Sequence, residues 1–225
     1  MKAIVKTKIE RPSQEWVDKY RKVPPSIVSD CLNRYYAMSA HIKPMIENST
    51  ICGPALTIQS MCGNNLMSHL ALTLAQPGDV LVIDARSNMT NAVWGGIQAL
   101  CAKKKGIAGV VIDGVIRDVA EMRAMRFPAY CRGVTPGGPH KGWADSVNVP
   151  VQCGGVPVYP GDLILGDDDG IVVLPSEHLE AVYEEAKVRM KKEQEWKRKI
   201  EIGASSLDAV GLRESLDAME IDYQE

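Results

Sequence analysis

The chain has 225 residues, of which 45% are hydrophobic and 24% are charged. This composition excludes an intrinsically disordered protein, because burial of so many apolar residues offsets the loss of chain entropy on folding. The formal net charge of -2 argues against nucleic acid as a partner, since proteins that bind phosphate backbones are usually basic. No apolar run approaches the roughly 18 residues of a membrane-spanning helix, and the N-terminal segment lacks the apolar part of a signal peptide, so we expect a cytoplasmic protein with no membrane partner.

Predicted helices and strands alternate along the first half of the sequence. Apolar periodicity and turn signals predict helices at 14–23, 26–36, 64–76, 92–105 and 118–126, and strands at 51–59, 80–84 and 110–113. After Pro128 the sequence changes to short apolar runs separated by glycine and proline turns, and a long helix is predicted from Ser176. We therefore predict an α/β fold of compact, layered sheets and helices with a C-terminal helical extension.

No proline, glycine or serine linker divides the sequence into two halves. We predict a single domain over residues 1–225, with a core at about 25–175 and a C-terminal helix and acidic tail at 176–225. The six cysteines form no CxxC pair and the four histidines show no metal-ligand spacing. We therefore expect buried, reduced thiols rather than a disulfide framework or a zinc site.

The most informative segment is GVVIDGVIRDVAE at 109–121, in which a buried strand is predicted to end at Asp113-Gly114 and a helix to follow. Residues just past the carboxyl end of a strand are where α/β sheets place ligands. Asp118 and Glu121 would share one helix face, and two carboxylates there suit a hard cation such as Mg²⁺. Arg117 could clamp a substrate carboxylate through its planar guanidinium. A capping box, with Asp118 at the N-cap and Glu121 reaching back, explains the same spacing.

A glycine pair, Gly95 and Gly96, comes at or near the start of a predicted helix. Glycine allows a ligand to approach the backbone closely, and free N–H groups at a helix start bind anions. The pattern predicts a carboxylate cradle at Ile97 and Gln98. Helix packing through the small glycines is the alternative, because no GxGxxG or phosphate-loop pattern accompanies the pair.

Two further polar segments have a simpler interpretation. The acidic run 167–169 and Gly170 lie between two apolar runs, which predicts a β-hairpin rather than a calcium loop. The loop at 136–142 carries His140 and Lys141, and it either forms an ordinary turn or contacts the distal end of a substrate.

The last predicted helix carries an apolar stripe that a carboxylate interrupts. The stripe consists of Leu179, Val182, Tyr183, Ala186 and Met190. Its next position is Glu193, and a carboxylate there needs a partner, a metal ion or solvent. Either Glu193 meets such a partner or the helix has left the body of the protein by that point. Glu195 lies off the stripe and is expected in solvent.

Together these segments resemble the class II pyruvate aldolases that cleave 4-hydroxy-4-methyl-2-oxoglutarate and 4-carboxy-4-hydroxy-2-oxoadipate, a family homologous to the regulator of ribonuclease activity A. The resemblance covers roughly residues 25–200 and includes PGDVLVID at 77–84. Its sharpest motif is G-x20-R-D-x2-E/D, which Gly96, Arg117-Asp118 and Glu121 match at every position.

The resemblance implies a fold related to swivelling phosphohistidine domains and a homotrimer or homohexamer with active sites between subunits. It also implies a divalent cation, Mg²⁺ or Mn²⁺, held by Asp118 and Glu121. Some relatives carry an aspartate at the position of Gly96, and the glycine here leaves Glu121 as the second carboxylate. A glutamate from the C-terminal helix of a neighbouring subunit enters the family site, and Glu193 is its match, with Glu195 as the alternative.

The implied reaction cleaves a 4-hydroxy-2-oxo acid to pyruvate and a second oxo acid, with oxaloacetate decarboxylation as a side activity. Arg117 would bind the 2-oxo acid and stabilise the developing enolate, while backbone N–H groups at Ile97 and Gln98 would hold the carboxylate. A water molecule oriented by Glu121 or Glu193 is the expected general base for the 4-hydroxyl. The alternative is a non-catalytic regulator that binds and inhibits a ribonuclease complex, and the acid at position 121 favours the enzyme.

Overall fold

The computed structural model describes residues 2–224 of the chain. Its helices are α1 (Gln14–Tyr20), α2 (Pro25–Cys31), α3 (Leu66–Leu74), α4 (Gly96–Lys104), α5 (Val119–Met125), α6 (Leu179–Glu201), α7 (Ser206–Ala209) and α8 (Arg213–Asp217). Its strands are β1 (Lys43–Pro44), β2 (Ile51–Gln59), β3 (Val80–Asn88), β4 (Gly109–Ile116), β5 (Ala129–Val134), β6 (Val151–Cys153), β7 (Val156–Val158), β8 (Leu163–Asp167) and β9 (Gly170–Leu174). A 3₁₀ turn, Ser176–His178, precedes α6.

Seven strands form one mixed sheet in the order β1-β5-β4-β3-β2-β8-β9. Neighbouring strands from β2 to β5 are parallel, and α3, α4 and α5 connect them in turn. β1 joins one side of this parallel stretch in the antiparallel direction, and β8 and β9 join the other. β6 and β7 pair as a separate antiparallel hairpin. The carboxyl ends of the four parallel strands therefore share one edge of the sheet, where ligands bind in such folds.

Alternate residues of the central strands pack into two separate hydrophobic clusters. In β3, Leu81 and Ile83 join a cluster that also contains Met122 of α5. Val80 and Val82 join the other cluster, which contains residues of β6, β7, β8 and β9. Because successive side chains of a strand point to opposite faces, the sheet is buried on both faces. This explains why the sequences of the central strands are continuous apolar runs and do not alternate with polar residues.

The α/β class and the C-terminal helix predicted from the sequence are confirmed, and so is the hairpin at 167–170, where β8 pairs with β9. The prediction of a helix over 26–36 is wrong at its end, because α2 stops at Cys31. Asn33 and Arg34 have φ values of 52° and 67°. This left-handed backbone ends a helix, and asparagine adopts it more readily than most residues.

The prediction that β4 ends at Asp113-Gly114 is also wrong, because the strand continues to Ile116. The buried Asp113 carboxylate accepts hydrogen bonds from Ser87 Oγ at 3.0 Å and from the Gly154 N–H at 2.8 Å, and it forms an ion pair with Arg132. These partners compensate for the desolvation of the carboxylate, which is why a strand interior accommodates it. The pairing of β4 with both neighbours shifts register near this point.

The expectation that the cysteines are buried is confirmed for three of the six, is wrong for two, and is met in part by the half-buried Cys31. Cys52, Cys131 and Cys153 are buried free thiols, whereas Cys62, which lies in a turn, and Cys101 of α4 are exposed. Burial raises the pKa of Cys52 and of Cys131 to about 12, so neither forms the reactive thiolate at neutral pH.

The chain divides into two compact units, Met1–Tyr183 and Glu184–Glu225. The first unit contains both sheets, α1 to α5 and the start of α6, and the second contains the rest of α6 with α7 and α8. The single domain over residues 1–225 stays a prediction. Within residues 2–224, no helix combines the length and the apolar character that crossing a bilayer requires.

Candidate active site

Arg117 and Asp118 lie at the carboxyl end of β4, between the strand and α5. Ile116, the last residue of the strand, pairs with Trp94 in a parallel bridge, and the Arg117 N–H donates to the Trp94 carbonyl at 3.0 Å. Trp94 directly precedes Gly95, the N-cap residue of α4. The pairing therefore holds the start of α4 beside the end of β4, and α4 begins at Gly96 rather than at the predicted residue 92.

Asp118 adopts a left-handed backbone conformation, with φ 59° and ψ 35°. Its Oδ2 accepts the Gly96 N–H at 3.0 Å and lies 3.5 Å from the Nε of Arg117. Both contacts use Oδ2, and Oδ1 accepts no hydrogen bond from the described part of the chain. The capping-box interpretation is wrong, because the Asp118 side chain bonds the first turn of α4 and makes no capping bond to its own helix.

Gly95 and Gly96 leave the space that two carboxylates occupy. A Cβ built on Gly95 would lie 2.6 Å from Asp118 Oδ2, and a Cβ built on Gly96 would overlap the carboxylate of Glu121. The glycines therefore serve close packing and the acidic site together, because their missing side chains admit the two acids. The positive end of the α4 dipole also favours negative charge at this place.

The first turn of α4 has backbone donors that its own helix cannot use. The N–H groups of Gly96, Ile97 and Gln98 have no acceptor within α4, because the first bond of the helix runs from the Ala99 N–H to the Gly95 carbonyl. Asp118 takes the Gly96 N–H, which leaves the donors of Ile97 and Gln98 for a ligand. An anion such as a carboxylate is the group that a helix start binds.

A cavity of about 100 Å³ opens beside Arg117 and Asp118. Its lining consists of Asn65, His69, Ala92, Trp94, Gly95, Ile97, Gln98, Arg117, Asp118, Pro139 and Lys141. The lining includes every predicted substrate-binding residue except Gly96, which lies next to it against Glu121. His140 is not part of the lining, whereas its neighbour Lys141 is.

Asn65 and Gln98 bring buried polar atoms to this cavity. Their relative exposures are 4% and 3%. Asn65 Nδ2 donates to Gln98 Oε1 at 3.2 Å, while Asn65 Oδ1 and Gln98 Nε2 have no hydrogen-bond partner among residues 2–224. Buried polar atoms without a partner are rare in native proteins, so these two atoms indicate a place for a ligand or a bound water.

His69 of α3 and Lys141 also line the cavity. Partial desolvation, and then the Lys141 ammonium, lower the pKa of His69, so its imidazole is neutral at pH 7. The positive charges of the lining are therefore Arg117 and Lys141, and its negative charge is Asp118. A net positive lining suits an anionic ligand.

Sequence reasoning missed His69 as a site residue and used Asn65 only as part of the family resemblance. Their spacing of four places both on one face at the start of α3. That spacing, directly before an apolar helix, is the signal that could have selected them.

Asp118 and Glu121 supply carboxylate oxygens, which Mg²⁺ and Mn²⁺ prefer as ligands. No group of three or more His, Cys, Asp or Glu side chains that could hold a metal ion occurs in the described part of the chain. Two carboxylates are nevertheless enough for Mg²⁺, which keeps several waters and is commonly held by one or two carboxylates together with the substrate. The chemistry of these two side chains therefore fits a divalent cation.

Glu193 and Glu195 both lie on α6, in the C-terminal unit. The Glu193 side chain is 40% exposed and pairs with Lys197 at 3.7 Å, and the Glu195 side chain is 60% exposed and pairs with Lys199 at 3.4 Å. Both are pairs along one helix, which stabilise it only slightly. The entry of Glu193 into a neighbouring subunit's site stays a prediction.

Comparisons with known proteins place the chain in a family. A family model described as RraA-like, Aldolase/RraA, matches residues 26–173. A protein of Halalkalibacterium halodurans named "Putative 4-hydroxy-4-methyl-2-oxoglutarate aldolase" is 43% identical over 173 residues, which are 77% of this chain and 82% of that protein.

Two solved structures of RraA proteins are also similar. Streptomyces coelicolor RraAS2, described as an unusual member of the RNase ES inhibitor RraA protein family, has a TM-score of 0.76 and 31% identity, covering 83% of this chain and 98% of that chain. The RNA-processing inhibitor RraA from Thermus thermophilis has a TM-score of 0.63 and 29% identity, covering 68% of this chain and 93% of that chain.

The matched segment contains the entire cavity lining and the neighbouring Gly96 and Glu121. The family resemblance read from the motifs is thereby confirmed. The chain belongs to the Aldolase/RraA family of RraA-like proteins.

Proposed function

We propose that this protein is a divalent-metal-dependent lyase that cleaves a 4-hydroxy-2-oxo acid to pyruvate and a second oxo acid. Its substrate is 4-hydroxy-4-methyl-2-oxoglutarate or 4-carboxy-4-hydroxy-2-oxoadipate. The observation that carries the proposal is the meeting of Arg117, Asp118 and Glu121 at the N-terminus of α4, beside a cavity with a net positive lining. The name of the Halalkalibacterium halodurans relative supports this class of reaction.

The residues of the cavity bind the pyruvate end of the substrate. Backbone N–H groups of Ile97 and Gln98 hold its carboxylate, as helix starts do for anions. The Arg117 guanidinium donates to the 2-oxo oxygen. Gly138 leaves room for this group, since a Cβ built there would lie 3.0 Å from the Arg117 Nη1.

Asp118 and Glu121 would hold the divalent cation, Mg²⁺ or Mn²⁺, which would supply Lewis-acid polarisation of the 2-oxo group when bound. The carboxylate of Glu121, or of Glu193 of a neighbouring subunit, orients a water molecule that takes the proton of the 4-hydroxyl and passes a proton on to that carboxylate. The bond between carbons 3 and 4 then breaks, its electron pair forms the pyruvate enolate, and the second oxo acid leaves. The proton from the 4-hydroxyl returns to carbon 3 of the enolate and gives pyruvate. Arg117 stabilises the charge that develops on the enolate oxygen.

The same enolate chemistry supports oxaloacetate decarboxylation, because the electron pair of the bond to carbon dioxide enters the same enolate. The proposal includes a homotrimer or homohexamer, since Glu193 acts from another subunit. It also includes a cytoplasmic location.

A non-catalytic regulator that inhibits a ribonuclease complex is the second candidate. The similarity to the RNase ES inhibitor family member of Streptomyces coelicolor favours it. Such a protein needs no carboxylate at position 121, whereas here the Glu121 carboxylate fills the space beside Gly96 next to Asp118. This arrangement favours the lyase.

Pyruvate release tests the proposal. The purified protein is incubated with both 4-hydroxy-2-oxo acids and with oxaloacetate, and pyruvate is followed through a coupled dehydrogenase. We expect activity with Mg²⁺ or Mn²⁺, its loss after exhaustive chelation with EDTA, and its return when the cation is restored, because the ligands are oxygen atoms and exchange freely. Full activity after chelation would exclude the metal mechanism, and inhibition of ribonuclease cleavage without any pyruvate release would favour the regulator.

A further inference from the structure

Residues 4–11, which we call the N-terminal strap, precede the segment that the family model matches. The strap pairs with the buried Val147 through two backbone hydrogen bonds. The Val147 N–H donates to the Ile4 carbonyl at 2.9 Å, and the Lys6 N–H donates to the Val147 carbonyl at 3.1 Å. On its other side, Val147 forms an antiparallel bridge with Ile58 of β2. Val147 therefore lies between the central sheet and the strap, and the strap is its outer partner.

Two polar side chains next to Val147 add bonds to the strap. Ser146 Oγ accepts the Ile4 N–H at 3.1 Å, and Asn148 Nδ2 donates to the Lys6 carbonyl at 2.7 Å. Ser146 and Asn148 are both more than nine-tenths buried. Because an unpaired buried polar group is costly, these bonds favour the paired state of the strap.

The other end of the strap is held by a buried ion pair. The Arg11 guanidinium donates to both carboxylate oxygens of Asp79, from Nε at 2.7 Å and from Nη2 at 2.8 Å. The Asp79 side chain is fully buried, and its Oδ2 also accepts the Gln76 N–H at 2.8 Å. Gly161 gives the strap room, since a Cβ built there would overlap the Glu10 carbonyl oxygen. The bidentate pair fixes the orientation of the guanidinium, so the strap is anchored at both ends.

The segment that the strap holds continues directly from the wall of the cavity. Residues 136–145, which we call the cavity loop, end where the strap pairing begins, and they carry the lining residues Pro139 and Lys141. The cavity loop contains no helix or strand, and its bonds to the turn before α3 include the one from the His140 N–H to the Gly63 carbonyl at 2.7 Å. A loop without regular structure opens easily unless its ends are fixed. The strap fixes the end of the cavity loop that follows Lys141.

We propose that the N-terminal strap positions the cavity loop, so that the pairing of residues 4–6 with 146–148 sets the affinity for the substrate. A loop that is in the binding-competent position for only part of the time lowers the apparent affinity by that fraction. Arg117, Asp118 and Glu121 lie on other elements, at the end of β4 and in α5, so they stay in place when the strap is released. The kinetic part of this inference rests on the proposed function, whereas the order of the loop does not.

Lys6→Pro tests the pairing without changing the cavity loop. Lys6 is exposed, and proline removes the N–H that donates to Val147 but no buried charge. Lys8→Pro is the matched control, because Lys8 is also exposed and its N–H makes no hydrogen bond within the described part of the chain. A double variant, Arg11→Met with Asp79→Asn, releases the other end of the strap without leaving a buried charge unpaired.

Amide hydrogen exchange, resolved to single residues by mass spectrometry, measures the order of the loop in the wild-type oligomer and in the variants. In Lys6→Pro and in the double variant, we expect exchange at both Val147 and His140 to become about tenfold faster, because opening of the loop no longer breaks the bonds to the strap. Exchange in β3 and β4 should stay unchanged, and Lys8→Pro should resemble the wild type. Thermal unfolding verifies that each variant is folded.

Oxaloacetate decarboxylation with Mg²⁺, corrected for the rate with Mg²⁺ alone, measures the consequence for the site. In Lys6→Pro we expect KM to rise at least about threefold, because the loop is less often in the binding-competent position. We expect kcat to stay within about twofold of the wild type, because the groups that act on the reacting bond are not on the loop. Mn²⁺ affinity, measured by titration, should not change.

Faster exchange at Val147 with wild-type exchange at His140 would overturn the proposal, because the strap would then only cover its own partner. Faster exchange throughout β3 and β4, or a lower kcat with unchanged KM, would also overturn it, since either would indicate an effect beyond the loop. If the wild type releases no pyruvate from any tested acid while exchange at His140 rises as expected, the proposed function fails and the positioning of the loop by the strap is supported.

Discussion

Asp118 has a backbone conformation that few residues other than glycine adopt. Aspartate is one of the few that tolerate it, at a cost that the surrounding structure must offset. Here the Arg117 N–H is bonded to Trp94 on one side, and the Asp118 carboxylate is bonded to Gly96 on the other. The left-handed residue turns the chain out of β4 and directs its carboxylate at the start of α4. Backbone strain at such a point is typical of functional sites.

Asp118→Asn tests the charge of this residue separately from its shape. Asparagine also tolerates the left-handed conformation, and its amide oxygen can still accept the Gly96 N–H, so the free energy of unfolding should change by less than about 1 kcal/mol. Mn²⁺ affinity, measured by titration, should fall at least about 100-fold. Residues that only hydrogen-bond the ligands of a metal ion already contribute about 10–100-fold to its affinity, and Asp118 is expected to be a ligand itself. A folded variant that binds Mn²⁺ normally and releases pyruvate at the wild-type rate would mean that Asp118 only fixes the backbone.

Arg117→Lys tests the planar guanidinium. Lysine preserves the charge but cannot offer two parallel donors, so kcat/KM for pyruvate release should fall about 100- to 1,000-fold, as when a donor to a developing oxyanion is removed. Arg123→Lys is the matched control, because Arg123 is exposed on α5, lies outside the cavity lining and donates to the Met45 carbonyl at 3.2 Å. If the two substitutions had equal, small effects, Arg117 would be an ordinary surface charge.

At the scale of elements, the site is the junction of β4, α4 and α5. The sequence predicted each of these elements, because strand runs and helix periodicity are local patterns. It did not predict the end of β4 or the start of α4. Those depend on the pairing of Ile116 with Trp94 and on the partners of the buried Asp113, which come from other strands. The capping-box alternative also failed here, because it assumed that Asp118 bonds its own helix.

Gly96→Ala tests this junction. A Cβ at position 96 would overlap the Glu121 carboxylate, which is the flexible end of a side chain and can move away. We expect the midpoint of thermal unfolding to change little, since alanine is a better helix former than glycine. Mn²⁺ affinity should fall about tenfold as the second carboxylate is displaced.

Gly133→Ala is the control for Gly96→Ala, because a Cβ there meets only side-chain atoms at 3.4 Å or more. It should leave Mn²⁺ affinity unchanged. Wild-type Mn²⁺ affinity in Gly96→Ala would mean that Glu121 does not contribute to the cation site.

At the scale of the whole molecule, the long helix α6 belongs in part to each of the two compact units. The helix has 23 residues and is therefore about 35 Å long. Its first residues belong to the unit that contains the site, and its remainder belongs to the C-terminal unit. We predict that this helix carries Glu193 to another subunit, because the carboxylate interrupts the apolar stripe of the helix at that position.

Subunit mixing tests whether Glu193 acts in trans. We expect Glu193→Ala to lose activity without dissociating the oligomer and Glu195→Ala to be near neutral, although both residues pair with a lysine four positions on. Inactive Glu193→Ala subunits mixed with inactive Asp118→Ala subunits should recover part of the activity, because some interfaces then join an intact Asp118 to an intact Glu193. Mixed oligomers, verified by mass spectrometry, that stay inactive would show that Glu193 does not serve a neighbour's site.

The α/β class, the hairpin at 167–170 and the motif of Gly96, Arg117-Asp118 and Glu121 were determined by the sequence alone, because periodicity, turn residues and spacing are properties of neighbouring residues. The tertiary structure decided which residues meet. It extended β4 to Ile116, set the two acids against the glycine pair, and added the α3 residues and Lys141 to the cavity wall. These contacts join segments far apart in the chain, so they follow from the order and register of the strands, which local patterns do not encode.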